Sequence, residues 1–295
     1  MKPNKKHRPD LNNKLKFKNK PMHSLNNSLE ANFQEEGFTI IDHPLIPSPM
    51  IDAAQSQIEQ IKQGIFDTGL SPTGMMNIQD PMGVQRITHI HAANEAFYNL
   101  VTQTKLGEVA AKILNTEKVK VWGSQLYIKP PHSGQNGHVG WHCDAQHMPY
   151  LQGDLIIAWI AFDEVTLASG CLQYVKNSHL PNAFATPLGG GFQDLDSEAK
   201  RLAASNLNKS WETVPVCLSK GGVSFHHWNL VHGSGSNQID QVRIGLSVGL
   251  ASENFKILEN IPDYGLSHII DHPMYCPVIY DETTTKPSSY VHHER

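Results

Sequence analysis

The chain changes its hydrophobic period twice along its length. Residues 1 to about 28 are polar, with almost no apolar positions, and read as a disordered arm. From Leu29 a short helix is expected, then a strand over Gly37–Ile41. Ser48 and Pro49 supply a cap and a first-turn proline. Ile51, Ala54, Ile58, Ile61 and Ile65 follow at helical spacing, with Gly64 as the stop. Asn94 caps a further helix whose apolar face holds Phe97, Leu100, Val101, Val109, Ile113 and Leu114, split near Gly107. After Asn115 the period shortens. Lys118–Lys129 alternates as a strand does, and Leu155–Phe162 is a continuous apolar run of strand length, expected to be buried on both faces. Ser169–Val175, Thr213–Cys217, Gly222–Trp228 and Val242–Leu250 are four more strands, separated by Gly-rich turns. Residues 66–83 and 181–211 show no such period and read as loops or lids, the second with a polar helical patch over Ser197–Leu207.

A helical third followed by many short strands predicts a mainly β fold with flanking helices, a sandwich or jelly roll. The expected organisation is one domain over 29–280. Its helical part lies at about 29–115 and its jelly-roll core at about 118–252, with a flexible tail over 281–295. Composition adds limits. A hydrophobic fraction of 39% suffices for a core in 295 residues. The net charge of −4 gives the body no means of binding a polyanion, so no nucleic-acid partner is expected. Eight of the 24 basic residues, from Lys2 to Lys20, nevertheless fall in the N-terminal arm. No apolar stretch follows them as in a signal peptide, and none is long enough to span a membrane. The four cysteines, Cys143, Cys171, Cys217 and Cys276, are far apart and form no Cys-x-x-Cys pair. Reduced thiols and a cytoplasmic protein are the expectation.

The chemistry centres on Trp141-His142-Cys143-Asp144. On a strand, His142 and Asp144 would share one face. One imidazole and one carboxylate make two-thirds of the 2-His-1-carboxylate triad that holds non-haem Fe(II) with open positions. His232 is the candidate for the third ligand. Ser234 stands two residues beyond it, and Arg243 lies on the next strand. A guanidinium fork matches a carboxylate bidentately and a hydroxyl can add a bond, as a 2-oxo diacid cosubstrate beside a metal requires. His138 and His147 flank the triplet as candidate pocket walls, with His226 and His227 as further polar groups.

Five stretches, in order, resemble the phytanoyl-CoA dioxygenase (PhyH) family of Fe(II)/2-oxoglutarate oxygenases. They are Gln125–Gly134, Trp141–Asp144, Asp154–Trp159, Ser169–His179 and Val231–Ser234 with Arg243. The resemblance implies a double-stranded β-helix, a cupin-like jelly roll. It implies iron on His142, Asp144 and His232, and the distal carboxylate of 2-oxoglutarate on Arg243 and Ser234. Gln125 and Trp159 fall where the family makes further cosubstrate contacts; read on their own, they are equally a sheet-face polar residue and a core tryptophan. The family's cosubstrate-binding lysine has no obvious match near Gln85-Arg86. Related halogenases carry a small residue where Asp144 stands, so the carboxylate implies oxygen insertion. The implied activity is hydroxylation of a C–H bond in a small or medium organic molecule, with O2 as the second cosubstrate and succinate and CO2 released. Desaturation, cyclisation and endoperoxidation are alternatives from the same centre. A non-catalytic jelly-roll binding protein is the alternative from another class.

Overall fold

The computed structural model describes residues 22–41, 43–190, 194–205 and 210–285. Most of the basic arm and of the expected tail lies outside the described residues. The helical layer comes first. Helix α1 spans Met22–Glu36 and reaches back into the segment read as disordered; Leu29 and Phe33, one turn apart, face inward. It leads into strand β1 (Phe38–Ile41). Helices α2 (Ser48–Ser56) and α3 (Ile58–Lys62) follow, broken at Gln57.

Strands β2 (Gly74–Met76) and β3 (Gln85–Thr88) form a hairpin inside and beside the stretch read as a loop. Then come α4 (Ile90–Ala93), α5 (Glu95–Thr102) and α6 (Leu106–Leu114). Asn94 caps α5 as expected, its side chain accepting from the amides of Ala96 and Phe97.

The β part comprises β4 (Lys118–Lys129), β5 (Val139–His142), β6 (Leu151–Gln152), β7 (Leu155–Ala161) and β8 (Leu172–Val175). After helix α7 (Leu195–Ala204) come β9 (Thr213–Pro215), β10 (Val223–His227), β11 (His232–Ser234) and β12 (Arg243–Ala251). Strand β13 (Lys256–Ile257), helix α8 (Leu266–Ile269), strand β14 (Val278–Asp281) and helix α9 (Glu282–Thr285) close the chain.

The strands form two main antiparallel sheets. The major one has the order β1-β10-β7-β12-β4-β3-β2, with β14 also on β4, and the minor one β5-β11-β8-β9. This is the jelly roll expected from the pattern of short strands. Its outer face packs on the helices: Ile51, Ile61, Phe97, Leu100 and Ile113 join Leu126, Ile156, Phe225 and Leu246 in one buried cluster. Every residue of β7 is buried. Helices cover one face and the interior of the roll the other, which explains the unbroken apolar run. Among the described residues no helix is long and apolar enough to cross a membrane.

Candidate active site

Strand register delivers the two imidazoles. β11 pairs with β5 so that His232 stands opposite His142, and with β8 so that it stands opposite Tyr174. His232, expected in a turn, is therefore the first residue of a short strand. The two histidine rings are centred 4.1 Å apart. Asp144 is not on β5. That strand ends at His142, and the Gln146 side chain accepts from the Cys143 amide at 3.0 Å, turning the chain into a 3-10 helix that starts at Asp144. Cys143 stays extended, so Asp144 still returns to the His142 side. One ligand atom from each of His142, Asp144 and His232 lies within 4.8 Å of the others.

Hydrogen bonding sets the protonation of this cluster. Nδ1 of His142 lies 2.8 Å from the Gly140 carbonyl, and Nδ1 of His232 lies 2.9 Å from the Leu230 carbonyl. A carbonyl only accepts, so both Nδ1 atoms carry the proton and each neutral ring turns an Nε2 lone pair inward. Burial lowers the pKa of both imidazoles, that of His232 far below its ordinary value. Burial alone would raise that of Asp144, but His232, His226 and His142 together bring it well below the usual carboxylate range. Nε2 of His142 and Oδ1 of Asp144 thus face each other at 3.9 Å, two acceptors with no proton between them. Such a set is satisfied by a cation, and nitrogen and oxygen donors of this kind suit Fe(II) with positions left open.

The second oxygen of Asp144 is held separately. Nε2 of His226 lies 3.2 Å from Oδ2, Nδ1 of His226 lies 2.9 Å from the Tyr174 hydroxyl, and that hydroxyl lies 2.8 Å from Ser224 Oγ. One assignment satisfies every group. Ser224 donates to Tyr174, Tyr174 donates to His226 and His226 donates to Asp144. All three donors are buried. The chain orients the carboxylate from behind, as outer partners of metal ligands do.

The cluster lines a cavity of about 330 Å³. Gln125, Trp159, Ser234 and Arg243 line the same cavity, so all seven residues singled out from the sequence meet there. Arg243 is buried and donates through Nη2 to the Gly170 carbonyl at 3.0 Å, while its Nε has no partner. Its guanidinium carbon lies 5.4 Å from the centre of the Trp159 ring. Burial lowers its pKa to about 10, so it stays charged at neutral pH.

Across the β12–β4 ladder, Arg243 stands opposite Lys129. Lys129 is fully buried and its Nζ donates to Ser234 Oγ at 2.7 Å and to the Gly235 carbonyl. Burial, then the positive charge of Arg243, drives its pKa well down. Among the described residues no carboxylate pairs with either cation. Two adjacent buried basic groups, one with an unpartnered guanidinium N–H on the cavity wall, fit a carboxylate anion.

Some expectations are corrected. The buried basic group beside Arg243 is Lys129, while Arg86 lies over the Tyr127 ring at 5.6 Å. Gln125 donates to Thr88 Oγ1 at 3.1 Å and accepts from the Tyr127 hydroxyl. Besides His142 and His232, the histidines on the cavity wall are His89 and His226, not His138 and His147. Of the two presumed lids, 66–83 contributes Thr73 to the cavity and 181–211 contributes no described residue. The latter packs outside His142, where a Cβ on Gly190 would sit 3.2 Å from the imidazole. Met148, Tyr150 and residues of the Asp263–Ile269 segment line the cavity as well.

A jelly roll with two histidines and one carboxylate on its cavity wall is the architecture of iron and 2-oxoglutarate oxygenases. The solved structures agree on the fold. The epimerase SnoN, in complex with Fe3+, alpha ketoglutarate and nogalamycin RO, superimposes with a TM-score of 0.64 at 16% identity, over 85% of this chain and 91% of that one. The alpha ketoglutarate dependent carbocyclase SnoK superimposes with a TM-score of 0.62 at 20% identity, over 82% and 89%. Within that class the chain belongs to the phytanoyl-CoA dioxygenase (PhyH) family, whose model matches residues 33–245. A probable phytanoyl-CoA dioxygenase of Caenorhabditis elegans is 30% identical over 44% of this chain and 42% of its own length. The peroxisomal phytanoyl-CoA dioxygenase of Homo sapiens is 25% identical over 75% of this chain and 66% of its own length. The matched region thus covers less than two thirds of these curated relatives.

Proposed function

We propose that the protein is an Fe(II)/2-oxoglutarate-dependent dioxygenase that hydroxylates an unactivated C–H bond of a small or medium organic molecule. The observation that carries this reading is one cavity whose wall holds two kinds of group. One is the proton-free face of His142, Asp144 and His232. The other is the buried guanidinium of Arg243 beside Ser234 on the same wall, backed by Lys129, which stands opposite Arg243 and donates to Ser234. The metal, when bound, supplies oxidative decarboxylation of 2-oxoglutarate to succinate and CO2 and delivery of one oxygen atom to the substrate. The protein's own residues do the rest. His142, Asp144 and His232 would hold the ion with positions left open. Arg243, Lys129 and Ser234 would seat the far carboxylate, with Trp159 under the guanidinium and Gln125 on the adjoining strand. His226 keeps the carboxylate ligand turned toward the ion.

The same cavity supports a substrate class. Thr73, His89, Trp122, Met148, Tyr150 and Leu266 line it, and Arg243 is the only Arg or Lys on the wall among the described residues. A phosphate-bearing carrier such as a CoA thioester finds no cation there. A neutral, partly apolar molecule fits, held by aromatic faces and a few hydroxyl and imidazole groups.

Anaerobic titration of the protein with Fe(II) and 2-oxoglutarate tests the reading. A visible charge-transfer band is expected, with slow succinate formation in air and no second substrate. Absence of both overturns it, and excludes turnover in favour of a binding protein. Product mass then separates hydroxylation, which adds one oxygen, from desaturation or ring closure, which removes two hydrogens.

A further inference from the structure

Cys171 and Cys217 are 46 residues apart in sequence, yet the minor sheet sets them face to face. β8 and β9 pair with Gln173 opposite Pro215, Tyr174 opposite Val214 and Val175 opposite Thr213. Continued by one and two residues, this register puts Leu172 opposite Val216 and Cys171 opposite Cys217. The first step is seen directly, because the Val216 amide donates to the Leu172 carbonyl at 2.9 Å. Directly opposed residues alternate between bonded and non-bonded pairs. Leu172 and Val216 are a bonded pair, so Cys171 and Cys217 occupy the non-bonded position. Pro215, with no N–H to give, occupies the equivalent position across from Gln173. The Cys171 amide is likewise spent elsewhere, on the Thr166 carbonyl at 3.1 Å. Cα atoms at a non-bonded pair lie about 4.5 Å apart, within the range of about 4.4 to 6.8 Å that disulfides span. Cys217 is close enough to shift the ionisation of the Cys171 thiol.

We propose that Cys171 and Cys217 form a modification site, a cross-strand thiol pair that hydrogen peroxide converts to a disulfide joining β8 to β9. Their surroundings divide the work. Cys217 is exposed and Cys171 is buried. Burial, then the neighbouring Cys217, pushes the Cys171 thiol up to about 12. Cys217 is therefore the sulfur that meets the oxidant first. Its attack on the peroxide breaks the O–O bond and leaves a sulfenic acid and one water. The Cys171 sulfur then displaces the sulfenic oxygen, which departs with the Cys171 proton as a second water. The thiols lose two electrons and the peroxide gains them. The bond would close one residue from Gly170, whose carbonyl holds Arg243. The chemistry itself does not depend on the proposed oxygenase reaction.

The test uses the full-length reduced protein, treated with a modest excess of hydrogen peroxide at neutral pH and then alkylated under denaturing conditions. The expected product has lost two hydrogens and takes up two fewer alkyl groups. A non-reducing digest should yield one peptide joining Cys171 to Cys217, released by dithiothreitol, while Cys143 and Cys276 are alkylated in full. In Cys217→Ser, Cys171 should stay reduced and fully alkylated after the same treatment. Three results would overturn the proposal. They are Cys217 accumulating oxygen while Cys171 remains free, a crosslink between chains in place of the internal one, or Cys171 oxidising in Cys217→Ser as fast as in the parent.

Discussion

Asp144 answers to two neighbours at once, one for each oxygen. Oδ1 faces the His142 imidazole and Oδ2 is held by His226. Replacing the carboxylate with Asp144→Ala removes one donor of three. The expected result is loss of the Fe(II)–2-oxoglutarate absorption band and of all hydroxylation. Removing only the orienting group is a milder experiment. His226→Phe should weaken metal binding about 10- to 100-fold. Titration with Co(II) and its visible spectrum would show this, and Tyr174→Phe should have a smaller effect in the same direction.

Lys129→Met separates cosubstrate seating from metal binding. Metal affinity should hold, while the 2-oxoglutarate concentration for half-saturation rises about tenfold or more, the loss of a charge-assisted bond. At this scale the sequence was uneven. His142, Asp144, His232, Ser234 and Arg243 were legible because they sit in a recognisable order. Lys129 was not, since a lysine before Pro130-Pro131 reads as the solvated end of a strand. The available signal was its parity with Gln125 and Tyr127, which places all three on one face of β4.

At the scale of the element, long strands could be read and short ones could not. β4 carries twelve residues of alternating pattern, and β7 seven of continuous apolar sequence, and both lie within a residue of where the sequence put them. β11 has three residues and β13 two, too few for any period to show, and they exist because a neighbouring strand offers them partners. Helix α1 was read only from Leu29, and the β2–β3 hairpin was missed, both because a weak local pattern is completed by tertiary packing.

Within the sheet, the seat under Arg243 depends on close approach between strands. A Cβ added at Gly245 would lie 2.2 Å from Cζ2 of Trp159, with ring atoms at 2.7 and 3.0 Å behind it. Gly245→Ala should therefore cost about 1 to 3 kcal/mol in urea unfolding, as overpacking does. It should also raise the 2-oxoglutarate requirement, since the displaced ring is the one the guanidinium lies over.

Seen as a whole, the molecule keeps neutral histidines in places where a proton would have no partner. His91 is fully buried, with Nε2 donating to the Tyr275 carbonyl at 3.0 Å and Nδ1 accepting from Ser124 at 2.6 Å. Burial, then the neighbouring His89, lowers its pKa to about 3 from the ordinary 6.5. His227 is lowered to about 4 by burial and by His179 and His226. The sign follows from these directions. Above pH 6.5 neither the folded nor the unfolded chain protonates His91, and its effect on stability is nil. Between 6.5 and about 3 only the unfolded chain takes the proton, so stability falls as the pH falls. The slope is on the order of 1 kcal/mol per pH unit for each such group. Urea midpoints measured from neutral to mildly acidic pH should drop in the parent and drop less steeply in His91→Gln.

The last described strand has its own consequence for the chain's terminus. β14 pairs with Lys118–Lys120 of β4, a stretch of that strand's margin which β3, bonded further along at Gln85–Thr88, leaves uncovered. Its residues also rest on α5 and α6. A protease that trimmed the polypeptide back to Pro277 would spare every group around the iron site. It would still bare a row of backbone donors and acceptors on the largest sheet, a template for another chain to zip onto. Such a clipped protein should bind its metal normally when fresh and then be lost to precipitation on warming. For this protein, shelf life would be set at a sheet margin that takes no part in its chemistry.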